Sequence, residues 1–264
     1  INMYTKLSYF KRKLRGLSIK LFNYIENNGN CNFDSNGEKY FVNNLLKDLS
    51  IKKSLIIFDI GANVGEYAHI IIQSSRKFNV DVNLYLFEPV KSCFEKLSQD
   101  FSVNESVNLN NFGASDSNGT AMIYYDKESS GFSSLYKRNM SSYGFELDQS
   151  EEIRLMRMDD YIVENKIQHI DFIKIDIEGH ELKAFQGFGK YLSSKFIDYI
   201  QFEYGGANLD SHTSLMEIYS FLEDRGFYVA KILNNGIEVR EYKPYMDNFN
   251  YSNYVAISKE IFQK

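Results

Sequence analysis

The sequence predicts an α/β fold, a doubly wound, Rossmann-like sheet of seven mostly parallel strands. Three observations carry that prediction. An apolar strand (Leu55, Ile56, Ile57, Phe58) runs into Asp59-Ile60-Gly61-Ala62-Asn63-Val64-Gly65-Glu66, then into Tyr67-Ala68-His69-Ile70-Ile71-Ile72. That is a strand, a glycine turn and a helix start, which presents backbone N–H groups to a ligand. The next apolar strand, Leu84-Tyr85-Leu86-Phe87, closes on an acid, Glu88. Strand and helix patterns then alternate along the chain, as a parallel sheet requires.

From the N-terminus, Met3, Leu7, Phe10, Leu14, Leu17, Leu21 and Tyr24 recur at steps of four and three and predict a helix. Asn27 to Gly37 is a polar loop, and Gly37 to Leu49 reads as a second helix. Strands are expected near 55–60, 83–88, 107–112, 170–176, 197–203, 227–233 and 253–258. Helices are expected near 64–76, 91–101, 180–192 and 213–225. Asn234-Asn235-Gly236 predicts a hairpin turn into an added strand near 237–242, and the terminal strand should pair antiparallel. Residues 126–152, rich in Ser, Tyr, Gly and charge, interrupt the alternation. A connection that long reads as a lid or acceptor-binding segment, with a passive surface insertion as the alternative. Residues 1–36 are therefore read as a helical arm and loop, and 37–264 as one domain.

A chain of 264 residues with 44% hydrophobic content can build one large core. Cys31 and Cys93 form no CxxC pair and imply no disulfide framework, which suits a reducing compartment. No apolar run approaches the ~20 residues that span a bilayer, and no signal-peptide pattern follows Met3. The expectation is a cytoplasmic protein. The first 25 residues carry Lys6, Lys11, Arg12, Lys13, Arg15 and Lys20 without an acid, a local +6; the whole chain is −5, so the remainder is −11. Such a body repels nucleic acid, which is not an expected partner. The basic arm leaves three readings open: packing on the body or, by self-association, on a partner subunit; peripheral contact with the inner face of a membrane; or a local contact with nucleic acid.

The glycine turn also selects a cofactor class. A dinucleotide fingerprint reads G-x-G-x-x-G, its later glycines admitting a pyrophosphate and close helix packing. Here Asn63 and Glu66 stand at the second and third glycine positions, and both would crowd a pyrophosphate. S-adenosylmethionine has none; its sulfonium and amino-acid end tolerate polar or acidic neighbours. Glu88 would then accept hydrogen bonds from both ribose hydroxyls, with Asp59, Gly61, Asn63 and Gly65 forming the turn beside the donor.

A second diagnostic block is Ile170-Asp171-Phe172-Ile173-Lys174-Ile175-Asp176-Ile177-Glu178-Gly179-His180-Glu181. With Asp59 to Gly65, Phe87-Glu88-Pro89 and Gly113-Ala114-Ser115-Asp116 before it, the chain resembles the FkbM family of S-adenosylmethionine-dependent methyltransferases. Ser133-Ser134-Leu135 and Met158-Asp159-Asp160-Tyr161 match the same family, although Met158 stands where Leu is more usual. The resemblance covers about residues 40–258 and leaves the first 36 outside. It implies methyl transfer to a hydroxyl, often on a surface polysaccharide sugar or a secondary metabolite, with S-adenosylhomocysteine as product. It also implies that Asp116, with Ser115 beside it, receives the adenine amino group.

An alcohol is a weak nucleophile at neutral pH, so a base near its proton helps. Asp176 leads the candidates: strand alternation puts Lys174, Asp176 and Glu178 on one side. It would accept the hydroxyl proton, orient the acceptor, or hold the donor's methionine end. Glu178, beside Gly179, and Glu203, ending its strand, complete the expected catalytic set. His180 is expected on the side opposite Asp176, and Glu181 is explained equally by the opening of a helix. Lys174, if buried, needs a carboxylate partner. With no metal-ligand spacing in the sequence, no metal is expected to be required. Two rival readings stand beside the small-molecule or glycan acceptor. One is an RNA or protein methyltransferase, though the Asn/Asp-Pro-Pro-Tyr/Phe run of amino-directed nucleic-acid methylases is missing. The other is a non-catalytic assembly subunit that keeps the fold.

Overall fold

A computed structural model describes residues 5–127, 131–141 and 144–262. The sheet grows from β1 (Ser54–Ile60), whose Leu55, Ile57, Phe58 and Ile60 are all buried, because helices cover both of its faces. β2 (Asp81–Phe87), β3 (Val107–Asn110), β7 (Ile170–Ile175) and β8 (Ile197–Tyr204) join it in parallel. β11 (Ser252–Ser258) then runs antiparallel between β8 and β9 (Phe227–Leu233). β10 (Gly236–Val239) adds an eighth, antiparallel edge through the two-residue turn at Asn234-Asn235. The order is β10-β9-β11-β8-β7-β1-β2-β3. It reverses direction between β1 and β7, where doubly wound sheets bind ligands. The expected fold is present, with its terminal strand antiparallel.

Helices pack both faces. α2 (Glu38–Asp48) and α3 (Glu66–Phe78) bury Phe41, Val42, Leu45, Leu46, Ala68 and Ile71 in one apolar cluster. α4 (Lys91–Phe101) adds Leu97 and Phe101 to it. On the other face α5 (Met158–Glu164), α6 (Glu181–Gly187) and α8 (Leu215–Glu223) build a second cluster around Phe58, Phe87, Tyr161 and Phe185. α8 begins at a capping box in which Ser214 and Glu217 satisfy each other's backbone amides. A short α7 (Gly206–Asp210) follows β8, and α9 (Lys259–Phe262) follows β11.

Several expectations need correction. The strand expected to 112 ends at Asn110; the chain then crosses to a separate three-stranded sheet, β4 (Gly113–Ala114), β6 (Gln149–Met156) and β5 (Gly119–Tyr125). That sheet was not foreseen, because in β6 only Ile153 and Met156 are buried and the rest reads as polar surface. Residues 149–152 therefore belong to a strand, not to the interrupting segment. Part of that segment, 128–130 and 142–143, lies outside the described residues. The helix expected over 180–192 stops at Gly187 and gives way to a 3₁₀ turn at Gly189–Tyr191.

The arm is α1 (Tyr9–Ile25), capped by Ser8 Oγ accepting from the Lys11 N–H at 3.3 Å. Its stripe does not pack on the body: residues 5–21 are exposed throughout. Met3, the first residue of the stripe, lies outside the described residues. Among the described residues, only the last turn is held. Phe22 meets the Tyr245 ring, and Glu26 and Asn28 accept from Lys231, which is buried in β9.

Candidate active site

At the carboxyl ends of β1, β2 and β7 lies a cavity of about 330 Å³, within the range of small-ligand pockets. Its wall has two chemistries. Ile123, Ile153 and Leu155 from the small sheet, with Pro89 and Leu135, form an apolar side. Lys174, Asp176, Glu178 and His180, from the end of β7 onward, form a polar side. Phe33, from the polar loop after the arm, and Tyr67 also line it.

The glycine turn is shaped by two close approaches. Gly61 takes φ +86°, and a Cβ there would stand 1.9 Å from the Asp176 carbonyl oxygen. Only glycine lets β1 and β7 meet this closely at the cavity floor. The N–H groups of Gly61 and Ala62 do not point at a ligand; both donate to the Phe87 carbonyl, at 2.9 and 3.1 Å. The turn is thereby tied to the end of β2. Gly65 faces away from the cavity, where any side chain would strike Phe101 and Leu97 of α4, so its role is packing.

Glu88 lines the cavity and is buried. Its Oε2 accepts the Asn63 N–H and its Oε1 the Val90 N–H, both at 2.8 Å. Burial pushes its carboxyl up to about 7, against the pull of those two amides. Each oxygen keeps a further lone pair for a sugar hydroxyl. Asn63, in the left-handed region at φ 48°, lines the wall beside it. Asp59 lies beneath the wall rather than in it. It is fully buried, neither carboxylate oxygen has a hydrogen-bond partner among the described residues, and burial raises it to about 6.

Three carboxylates converge at the end of β7. Asp176, Glu178 and Glu203 each bring an oxygen within 4.8 Å of the others'. Charges that close cannot all ionise together. Burial, and next the charge of Asp176, push Glu178 up to about 8 and raise Glu203 well above the carboxylate range. The same oxygens could hold a proton or a divalent cation. Asp176 also binds Lys174 at 2.8 Å. Burial would lower that ammonium's pKa, but Asp176, Glu38 and Asp59 around it raise it instead. Glu203 stands behind the wall and not in it, close enough to share the cluster's proton.

The strand ends at Ile175, and His180 does not stand opposite Asp176 as expected. Glu178 (φ 49°) and Gly179 (φ 97°) both turn left-handed, folding the chain back over the cavity. Glu181 Oε1 closes the turn by accepting the N–H groups of Ile177 and Gly179 at 3.1 and 3.2 Å. Burial pushes Glu181 up to about 7. His180 consequently faces the cavity on the side of Asp176, between Ser115 Oγ at 3.0 Å and Tyr136 OH at 3.1 Å. Burial lowers it to about 4, so its ring is neutral at pH 7. Ser115 supports this histidine from outside the wall. Asp116 also stands outside the wall, drawn off by Lys183 at 2.8 Å, whose bond holds the carboxyl below its ordinary range.

Residues 131–141 supply Tyr136 and Arg138, which the sequence did not single out, beside Ser134, which it did. Arg138 is buried and binds Glu178 Oε2 at 2.6 Å and Asp210 at 3.1 Å. Ser134 Oγ donates to the Glu178 carbonyl at 2.8 Å. Together with Tyr136 they fasten this segment onto residues 178–180. Among the described residues of 126–152, Gly131, Ser133 and Leu135 line the cavity. Their only advance signal was the Ser133-Ser134-Leu135 element. Phe33 gave none, since it is a lone aromatic in a polar loop.

A methyltransferase FkbM domain profile matches residues 59–229, from the glycine turn into β9. The chain belongs to the FkbM methyltransferase family. Two curated relatives agree. The hexuronic acid methyltransferase AglP of Haloferax volcanii is 24% identical over 163 residues, 61% of this chain and 60% of its own. The methyltransferase sdnD of Sordaria araneosa is 26% identical over 157 residues, 50% of this chain and 59% of its own. The chain thus spans about three fifths of the length of either relative. Among solved structures, Aeropyrum pernix fibrillarin with bound S-adenosyl-L-methionine aligns over 83% of this chain and 76% of its own, at 13% identity and a TM-score of 0.42.

The residues present fit that donor. The apolar wall suits an adenine ring, and Glu88 has free lone pairs at the end of β2, where a ribose would lie. The amides of Gly61, Ala62, Asn63 and Gly65 are already engaged, which leaves the turn poor in the free N–H groups that a phosphate draws on.

Proposed function

We propose that this chain transfers a methyl group from S-adenosylmethionine to a hydroxyl of a sugar. The observation that carries the reading is the two-sided cavity, with an apolar wall from the small sheet facing carboxylates gathered at the end of β7. Bound there, the donor supplies a methyl already activated on a sulfonium sulfur. Glu88 holds the ribose hydroxyls, and Ile123, Leu135, Ile153 and Leu155 exclude water from the adenine side. Asp176 and Glu178 orient the acceptor hydroxyl, and Asp176 accepts its proton. Glu203 shares the proton of the cluster. Neutral His180, pinned by Ser115 and Tyr136, keeps the end of β7 turned inward.

The sugar reading draws on the relative named for hexuronic acid. The charge around this cavity favours a neutral ring over an acidic one. Its cations, Lys174 and Arg138, are each already bonded to carboxylates, so a carboxylate on the acceptor would face Asp176 and Glu178 without compensation.

The test is incubation with methyl-labelled donor and paired neutral and uronic glycosides, with products read by mass. Label entering the neutral glycoside as one added methylene, and the acidic one far less, is the expected outcome. Donor uptake with no methylated sugar in either set would remove the sugar assignment. No donor uptake by folded protein would remove the activity itself.

A further inference from the structure

Among the described residues, no helix is long and apolar enough to cross a membrane. Helix α1 poses a different problem. Its 17 residues extend about 25 Å at 1.5 Å per residue, and none of them is buried. Most of a helix's stability in a protein comes from packing its apolar face, and α1 packs none of its own. At 3.6 residues per turn, Phe10, Leu14, Leu17, Leu21 and Tyr24 share one face. Phe22 and Glu26, which touch the body, fall on the opposite side. The apolar face therefore points away from the rest of the chain, with exposures of 73% at Phe10, 64% at Leu17 and 81% at Tyr24. Lys13 and Lys20 flank it on one side and Lys11 on the other, where long side chains lift their charge toward headgroups.

We infer that this helix is a docking surface for an anionic lipid bilayer, lying in the interface plane with the stripe inserted. Charge decides the occupant. Residues 5–25 hold six cations and no acid, the composition of an interfacial helix on anionic lipid. Two copies packed stripe to stripe would bring twelve such cations together. The body, at −11, is repelled by the same surface, so the arm alone makes contact. Its root is built to take the load. Glu26 lies between Lys231 at 3.3 Å and Arg240 at 2.7 Å, Lys231 also binds Asn28 at 2.6 Å, and Asn27 Nδ2 donates to the Asn36 and Ile232 carbonyls.

The experiment is co-sedimentation of the whole chain with two kinds of vesicle, pure phosphatidylcholine and a mixture with about one third phosphatidylglycerol. The chain should bind the mixed vesicles, and binding should fall as salt is raised. The double variant Leu14→Glu/Leu17→Glu should partition about a hundredfold more weakly, as the loss of two buried leucines implies. Both side chains are exposed, so far-ultraviolet dichroism and donor binding should match the parent. No sedimentation with mixed vesicles would overturn the inference. Equal binding to both vesicle types, or by the double variant, would do the same. So would a concentration-dependent dimer that the double variant abolishes while lipid binding stays undetected.

Discussion

The two ends of the central sheet treat charge in opposite ways. At the amino ends of β7 and β8, Lys52 stands between Asp171 at 2.5 Å and Asp198 at 2.7 Å, and His169 reaches Asp198 at 3.2 Å. Asp171 also accepts the Ile56 N–H at 2.7 Å. Every acid there has a partner. Burial would raise Asp198, but the bonds from His169 and Lys52 bring it below its ordinary range. At the carboxyl ends the acids outnumber their cations, and Asp59, Glu88, Glu178, Glu181 and Glu203 are all raised, burial being the largest cause in each. One set of charges closes a fold; the other is left partly unsatisfied where a ligand enters. Perturbed groups gathered in a cleft are the physical mark of a functional site.

The sharpest break of that comparison is kinetic. Asp176→Asn should lower turnover by about 10²–10⁴-fold, the usual weight of a positioned base, while donor affinity measured by calorimetry changes little. Undiminished turnover would take the proton-accepting role from Asp176. Glu88→Ala should do the reverse, weakening donor binding most.

Stability comes next. Lys174→Met leaves Asp59 and Asp176 without their buried cation and should cost about 3–5 kcal/mol in urea unfolding. Lys52→Met should cost about 1 kcal/mol, since its side chain is 38% exposed and solvent screens the loss. Equal costs would erase the contrast between the two ends.

A smaller effect separates the ends by pH. The folded state holds protons on Asp59, Glu88 and Glu181 up to about 6 to 7, whereas the unfolded chain releases them near 4. Their contribution is full below about 4 and is lost as pH rises through 7. Ligand-free protein should therefore melt at a higher temperature at pH 5.5 than at pH 7.5, by a few degrees for each kcal/mol of difference. Asp59→Asn should flatten the slope. A melting temperature that climbs over that interval would contradict the protonated cluster. Smallest of all, Tyr136→Phe removes one hydrogen bond to His180 and should cost about 1 kcal/mol.

How legible each part was follows from what its residues bury. β1, β7 and β8 read directly from the sequence because their runs are apolar on both faces. β5 and β6 did not, because one exposed face breaks the pattern, yet they form the apolar side of the cavity. Asp176 and Glu88 could be placed by rank along their strands. Glu178 lines the cavity as its rank implied, whereas His180 is aimed by the left-handed turn at Glu178 and Gly179, which no strand pattern records. Asp116 matched a motif but found Lys183 nearer, and no one-dimensional pattern records which neighbour wins.

One connection has reach beyond its size. The loop from Asn27 to Phe33 begins at the root of the arm and ends in the cavity wall. The root of the arm and the rim of the cavity thus lie a few residues apart along the chain, so a change in the length of this loop would shift Phe33 against one or the other.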